Sequence, residues 1–378
     1  MCRLNSHGDD YETVQNVIVV GAGIWGASLA LRLAESGRRV TLIERLDADD
    51  PRRASAGETR LVRSAHGTSE FYSQMAWEST REWLALNERV GEQIFLPQGL
   101  MWFGREADGW EVRSAEVLKD LDIPCTLLDP AEAALFYPEM RHDDLATVLY
   151  EPEAGVVRAR RATEVVTGLA QDAGVTLVRG TARPAGRGVV VDGERTGADQ
   201  VVWACGAWLP GLFHGLPITV TRQDTTHFAA DWTGVPAFCD YSGSAYGHGD
   251  IDGHGMKITS DVEGEPGFDP ESPRGEILAA SEQRARDYLA RRFPSLAEVP
   301  LGLTQVCQYA LTPDAEWVVA EIEDGVWVMG GDSGHGFKHA PVLAARLTSV
   351  LNGEAAVDPR FGLHPRESAR GLRTSGET

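Results

Sequence analysis

Short apolar runs alternate along this 378-residue chain with longer stretches in which apolar residues recur at helical spacing. The run Val17 to Val20 reads as a buried strand and leads at once into Gly21-Ala22-Gly23-Ile24-Trp25-Gly26. A helical stretch follows, then a second strand, Arg39 to Ile43, that ends in Glu44. Glu70 to Val90 suggests one helix or two, Gly99 to Gly104 a strand, Ser114 to Leu121 a helix, and Asp129 to Leu135 a short capped helix. Arg161 to Ala173 has helical spacing, Val175 to Val178 reads as a strand, and Asp199 to Trp208 is a strand running into glycine. From Pro217 to Val306 the pattern changes. Strand-like pieces (Ile218 to Val220, Thr225 to Ala229, Met256 to Thr259) alternate with glycine-rich turns such as Ser242 to Gly255, and one clear helix, Ile277 to Arg292, stands among them. Finally Val326 to Met329 is a buried-strand run that enters the glycine-rich segment Gly330 to Lys338, and a helix with Val342, Leu343, Leu347 and Leu351 succeeds it.

Nucleotide-binding character thus recurs at the start, middle and end of the chain. The expectation is an α/β fold: a Rossmann-like domain assembled from residues 16–80, 150–216 and 310–362, beside an α+β substrate domain with a mixed sheet, residues 81–149 and 217–309. The polar ends, residues 1–15 and 365–378, are expected to be disordered tails.

The first glycine turn has G-x-G-x-x-G spacing between a strand and a helix. Gly21 permits the tight turn, Gly23 lets the backbone approach a pyrophosphate, and Gly26 lets the helix pack close to the sheet. Glu44 lies 44 − 23 = 21 positions past the second glycine, near the roughly 20 expected of an acid that binds ribose hydroxyls. The motif alone is weak, but strand, helix, strand and acid in register point to a dinucleotide.

Charge narrows the partners. Thirty-five Lys and Arg against 56 Asp and Glu give a net charge of −21, which repels phosphate backbones and anionic membranes, so neither nucleic acid nor a membrane is an expected partner. No apolar run reaches the roughly 18 residues of a membrane span, and Met1 to Gln15 contains no apolar signal core. Five widely spaced cysteines without a C-x-x-C pair argue against a disulfide scaffold or zinc site and for a reducing cytoplasm.

Several separated segments share a pattern: GAGIWG, then GETRLVRSAHG (Gly57 to Gly67), VVWACGAW (Val201 to Trp208), HGMK (His254 to Lys257), QVCQY (Gln305 to Tyr309) and SGHGFK (Ser333 to Lys338). In order and spacing they resemble the monomeric sarcosine oxidase and N-methyltryptophan oxidase group of flavin amine oxidases, within the D-amino-acid-oxidase-like class, over roughly residues 16 to 360. The resemblance implies FAD, with a covalent bond from a cysteine sulfur to the 8α carbon of the flavin; by position that cysteine is Cys307, which on its chemistry alone reads more often as a buried apolar thiol. It implies that Arg60 lies near the flavin, and that Arg63 and Lys338 clamp a substrate carboxylate, although two arginines three apart are usually solvated. It implies that Lys257 sits near flavin N5 and promotes reaction with oxygen, that Tyr246 and Tyr309 line the substrate pocket, and that Thr59, Gly206, Gly334, His335 and Gly336 border the cofactor. His335 is expected to shape the flavin environment and not to bind a metal, with no second histidine at ligand spacing.

Two departures concern the substrate. Asp261 stands where the family has a histidine four positions after the lysine, and His66-Gly67-Thr68 replaces an aromatic-Gly-Glu ending. An acid near the pocket alters the charge that a substrate amine meets, which leaves open a larger or more basic amino acid, or a cyclic imino acid, in place of sarcosine. The expected activity is oxidation of a C–N bond next to a carboxylate, giving an imine and hydrogen peroxide. The alternatives are a flavin dehydrogenase or desaturating tailoring enzyme with another electron acceptor, and a flavin-binding subunit without turnover.

Overall fold

The computed structural model describes residues 15–261, 264 and 266–367; Cys2 and most of both expected tails (1–14 and 368–378) lie outside the described residues. Strand β1 (Asn16–Val20), helix α1 (Ile24–Glu35) and strand β2 (Arg39–Glu44) form the expected βαβ unit. β1 lies inside a six-stranded sheet, between β2 and Gln200–Trp203. The other strands are Val326–Gly330, the antiparallel edge Val318–Glu323, and Thr176–Arg179 on the far side of β2.

The continuous apolar run of β1 follows from burial on both faces. Val17 and Val19 face the cluster formed with α1, Ala159–Asp172 and Ala340–Leu351, whereas Ile18 and Val20 face a second cluster with Trp203, Leu209 and Ile218. Strand β3 (Thr59–Val62) pairs with Gly155–Arg158 in a separate small sheet, and helix α2 (Glu70–Val90) follows it. α2 is one helix, capped by the Ser69 hydroxyl and ended by Gly91 in the left-handed region. It runs unbroken through the expected domain boundary at residue 80, and its Trp83 and Leu86 join the cluster that contains Val17.

A mixed eight-stranded sheet packs beside this layer, in the order Leu301–Leu311, Thr219–Phe228, Met256–Ser260, Ala245–His248, Ala237–Asp240, Leu100–Gly104, Thr147–Glu151 and Thr126–Leu128. Here the sequence pattern was least informative. The two expected pieces Ile218 to Val220 and Thr225 to Ala229 are one ten-residue strand, whose polar middle is sustained by pairing with Leu301–Leu311 along its length. The expected turn region Ser242 to Gly255 contains the strand Ala245–His248. Helices begin at Trp110 rather than Ser114 and at Ala279 rather than Ile277, while Asp129 and Glu132 form the expected capping box. No helix among the described residues is long and apolar enough to cross a membrane.

Two glycines set how closely α1 approaches the sheet. Gly21 has φ +100°, and a Cβ there would lie 2.5 Å from the Ala204 carbonyl oxygen. At Gly26 a Cβ would lie 1.9 Å from the Gly21 carbonyl oxygen, so the helix can start where it does only without a side chain at that position. Gly26→Val should therefore lower the free energy of unfolding in urea by at least the ~1–3 kcal/mol typical of overpacking. An unchanged midpoint would show that the turn has more room than this geometry allows.

Candidate functional site

A cavity of about 940 Å³ opens along the C-terminal ends of β1 and β2 and runs between the two large sheets. That is at the upper end of the ~300–1,000 Å³ of small-molecule and cofactor sites. Gly21, Gly23, Glu44, Arg53, Ser55 and Gly206 line one part of it, and Arg63, Tyr246, Asp261, Tyr309 and Lys338 line another, with Arg60, Gly334 and His335 also in the wall.

At the glycine turn the Glu44 carboxylate accepts the backbone N–H groups of Ala22 (2.9 Å), Arg45 (2.8 Å) and Leu46 (2.9 Å), which fixes an acid at the end of β2. Gly23 is the N-cap of α1 and has no side chain to cap with, so the Ser55 hydroxyl accepts the Ile24 N–H instead (3.1 Å). Arg53 is buried; it donates to the Ala22 carbonyl and approaches Glu44 at 4.0 Å. Burial lowers its pKa from the ordinary value and Glu44 raises it. The first-turn N–H groups of α1 have no acceptor within the helix by geometry, so the turn offers donors and a guanidinium to an anion. Arg53 and Ser55 were not legible in the sequence, because both sit in a polar connection without periodicity.

Arg60 donates to the carbonyls of Thr59 (2.7 Å) and Ala54 (2.6 Å), and its Nη2 lies 3.5 Å from the Cys307 sulfur. Lys257 is buried and its Nζ lies 3.3 Å from both the carbonyl and the hydroxyl oxygen of Thr59. That hydroxyl also lies 2.8 Å from His248 Nε2, while His248 Nδ1 lies 2.6 Å from the Gly249 carbonyl. With its proton on Nδ1, His248 accepts from Thr59, whose oxygen then accepts from Lys257. Burial, then Arg60, push the Lys257 ammonium down to about 7; burial, then Lys257, push His248 down to about 3. Thr59, Lys257 and Cys307 form a layer behind the cavity wall, not part of its lining. Gly26 and Gly336 also lie behind it; the Gly336 carbonyl accepts the Trp25 indole N–H at 2.9 Å.

Arg63 donates to the Ala65 carbonyl (2.7 Å), and its guanidinium sits over the Trp102 ring at 4.6 Å. Glu151, buried and missed in the sequence, orders this region by accepting the N–H groups of Ser64 (2.6 Å) and Ala65 (3.2 Å) and the Trp102 indole (2.7 Å). Lys338 is buried, and its Nζ donates to the His335 carbonyl at 3.1 Å. Burial, then the Arg63 cation, hold its ammonium well below the ordinary lysine range. The hydroxyls of Tyr246 and Tyr309 meet at 3.3 Å, and burial raises the Tyr246 phenol well above its usual range. The expectation that no second histidine accompanies His335 is corrected. His339 lies four residues on, and His66 joins them, with one ring nitrogen of each within 4.8 Å of the others.

The residues present fit FAD: an anion-binding turn, an adjacent acid for ribose hydroxyls, and an elongated cavity lined by cations. A family model described as FAD dependent oxidoreductase matches residues 16–350. Monomeric sarcosine oxidase of Bacillus sp. (strain B-0618) is 25% identical over 91% of this chain and 94% of its own length. N-methyl-L-tryptophan oxidase of Citrobacter koseri is 25% identical over 93% and 97%. Among solved structures, a thermally stable mutant of fructosyl peptide oxidase superposes with TM-score 0.83 at 20% identity over 96% of both chains. L-proline dehydrogenase from P. horikoshii superposes with TM-score 0.80 at 21% identity, over 90% of this chain and 94% of its own. These likenesses and the glycine turn agree: the chain belongs to the FAD dependent oxidoreductase family.

Proposed function

We propose that the protein is an FAD-dependent oxidase of the C–N bond in a carboxylate-bearing amine, either an N-alkyl amino acid or a cyclic imino acid. The carrying observation is that Arg63 and Lys338, from opposite ends of the chain, line the same cavity as the Gly21 turn, with the acid Asp261 in the same lining as Tyr246 and Tyr309. FAD supplies a two-electron acceptor: the substrate C–H electron pair leaves, the C–N bond becomes an imine, and oxygen takes up two electrons and two protons to leave as hydrogen peroxide.

The chain's own residues do the rest. Arg63 and Lys338 hold the carboxylate and so orient the C–H bond. Asp261 meets the amine end and favours substrates with positive charge there. Lys257 provides a cation behind the cofactor as charge develops on oxygen. Cys307, in the layer behind the cavity wall, would hold FAD through its sulfur, a bond whose formation would need a two-electron oxidant such as oxygen. The expected domain division, with residues 81–149 and 217–309 as the substrate part, and a cytoplasmic location belong to this reading. The location is supported by Cys125, Cys205, Cys239 and Cys307 all being free.

The direct test is peroxide release from a panel of secondary amino acids and cyclic imino acids, with basic members included. Turnover of at least one is expected. Dye reduction far outrunning peroxide formation would make the protein a dehydrogenase, and no reduction of the flavin by any of them would remove the enzyme reading.

Arg63→Met and Lys338→Met should each raise KM for the carboxylate substrate about 10–100-fold, the loss of one charge-assisted hydrogen bond, with a smaller effect on kcat. Equal KM values in wild type and variants would break the clamp. Lys257→Met should slow the oxygen-dependent half of turnover on the order of 10²–10³-fold. Because the Lys257 ammonium loses its proton near 7, that step in the wild type should slow as pH rises through about 7. The variant should show no such slope, and an unchanged rate and profile would clear Lys257 of the role. Acid precipitation of the purified protein should leave yellow colour in the pellet and release it to the supernatant in Cys307→Ala. A colourless wild-type pellet refutes attachment.

A further inference from the structure

His66, His335 and His339 form a buried cluster, of which the oxidase reading uses only His335, in the cavity wall. One ring nitrogen of each lies within 4.8 Å of the others, and the three residues are 0%, 6% and 0% exposed. His66 enters from the loop after β3, while His335 precedes and His339 ends the 3₁₀ turn Phe337–His339 ahead of the helix Ala340–Leu351. Two ring orientations are fixed by backbone carbonyls: His66 Nδ1 lies 2.9 Å from the Ser64 oxygen, and His335 Nε2 lies 3.0 Å from the Ala315 oxygen. Each of those nitrogens therefore carries a proton, and in His66 the lone pair is left on Nε2. A histidine whose second N–H donates to a carbonyl is the usual arrangement of a metal ligand. Among the described residues, His66 Nε2 and both ring nitrogens of His339 are buried without a hydrogen-bond partner.

We infer that this cluster is a three-imidazole site for a late first-row transition-metal ion of the zinc and copper class. The donor set decides the class. It holds nitrogen alone, whereas calcium and magnesium take oxygen ligands. Three histidine ligands leave a fourth position for water or another small donor in a tetrahedral ion, or complete the shell of a trigonal Cu(I). The site lies beside the proposed carboxylate clamp but does not rest on the oxidase reading, since its ligands can be counted in flavoprotein that turns nothing over.

The test uses the full-length flavoprotein, purified without a metal-affinity step and treated with a chelator. It is titrated with ZnCl₂ against a chromophoric zinc chelator and, anaerobically, with Cu(I) against a chromophoric Cu(I) chelator. One equivalent of at least one ion is expected to bind. His66→Phe and His339→Leu should each weaken binding by at least the roughly 10–100-fold that loss of a mere supporting partner costs, while the flavin absorbance spectrum reports that the variants are folded. Metal uptake unchanged in the variants, or no stoichiometric uptake of either ion, overturns the assignment. X-ray absorption of the metal-loaded wild type decides the matter even if a variant fails to fold. Three imidazole nitrogens at about 2.0–2.1 Å for zinc support the site; a shell of sulfur, or of oxygen with fewer than three imidazoles, refutes it.

Discussion

Holding cations in and behind the cavity wall, with carboxylates acting on them only from a distance (Glu58 on Lys257, Glu151 on Lys338), is the constraint around which this molecule is built. Arg60, Arg63, Lys257 and Lys338 direct their hydrogen bonds to backbone carbonyls, one threonine hydroxyl and the Cys307 sulfur. A charge buried in this way is costly unless an anion arrives. The depressed ammonium values of Lys257 and Lys338 express that cost, since burial is the largest cause of both. Each anion of the proposed chemistry has a cation waiting: Arg53 for phosphates at the glycine turn, Arg63 and Lys338 for a carboxylate, Lys257 for charge appearing on oxygen. The scaffold tolerates this arrangement because α1, α2 and the six-stranded sheet bury a large apolar core elsewhere.

Elements that depend on local periodicity were legible in the sequence, and those that depend on long-range pairing were not. β1, α1 and β2 appear as read, since a continuous apolar run followed by fixed glycine spacing has few other solutions. The strand Thr219–Phe228 was divided in two because its Thr221-Arg222-Gln223-Asp224 middle is polar, yet Tyr309, Gln308, Cys307 and Val306 pair with those four positions. Leu301–Leu311 was seen only as a motif around Cys307, and its eleven-residue length comes from that partner strand.

The site divides along the same line. Arg60, Arg63, Tyr246, Tyr309 and Lys338 were found because separated segments matched a family pattern, and all five line one cavity. Arg53, Ser55, His248 and Glu151 act on other site residues through one to three hydrogen bonds, and nothing in their sequence neighbourhood marks them. Of the histidine cluster, the four-residue spacing of His335 and His339 was readable, whereas the approach of His66 across more than 260 positions needed the fold.

The central claim is that a carboxylate seated by Arg63 and Lys338 shares one cavity with a flavin held at the Gly21 turn. It is met most directly by a crystal structure of the flavoprotein soaked with a carboxylate that cannot be oxidised. The account predicts the pyrophosphate at the N-terminus of α1, the isoalloxazine passing Arg60, and the carboxylate within hydrogen-bond distance of both Arg63 and Lys338. A carboxylate bound elsewhere, with those two side chains still turned to the Ala65 and His335 carbonyls, would contradict it.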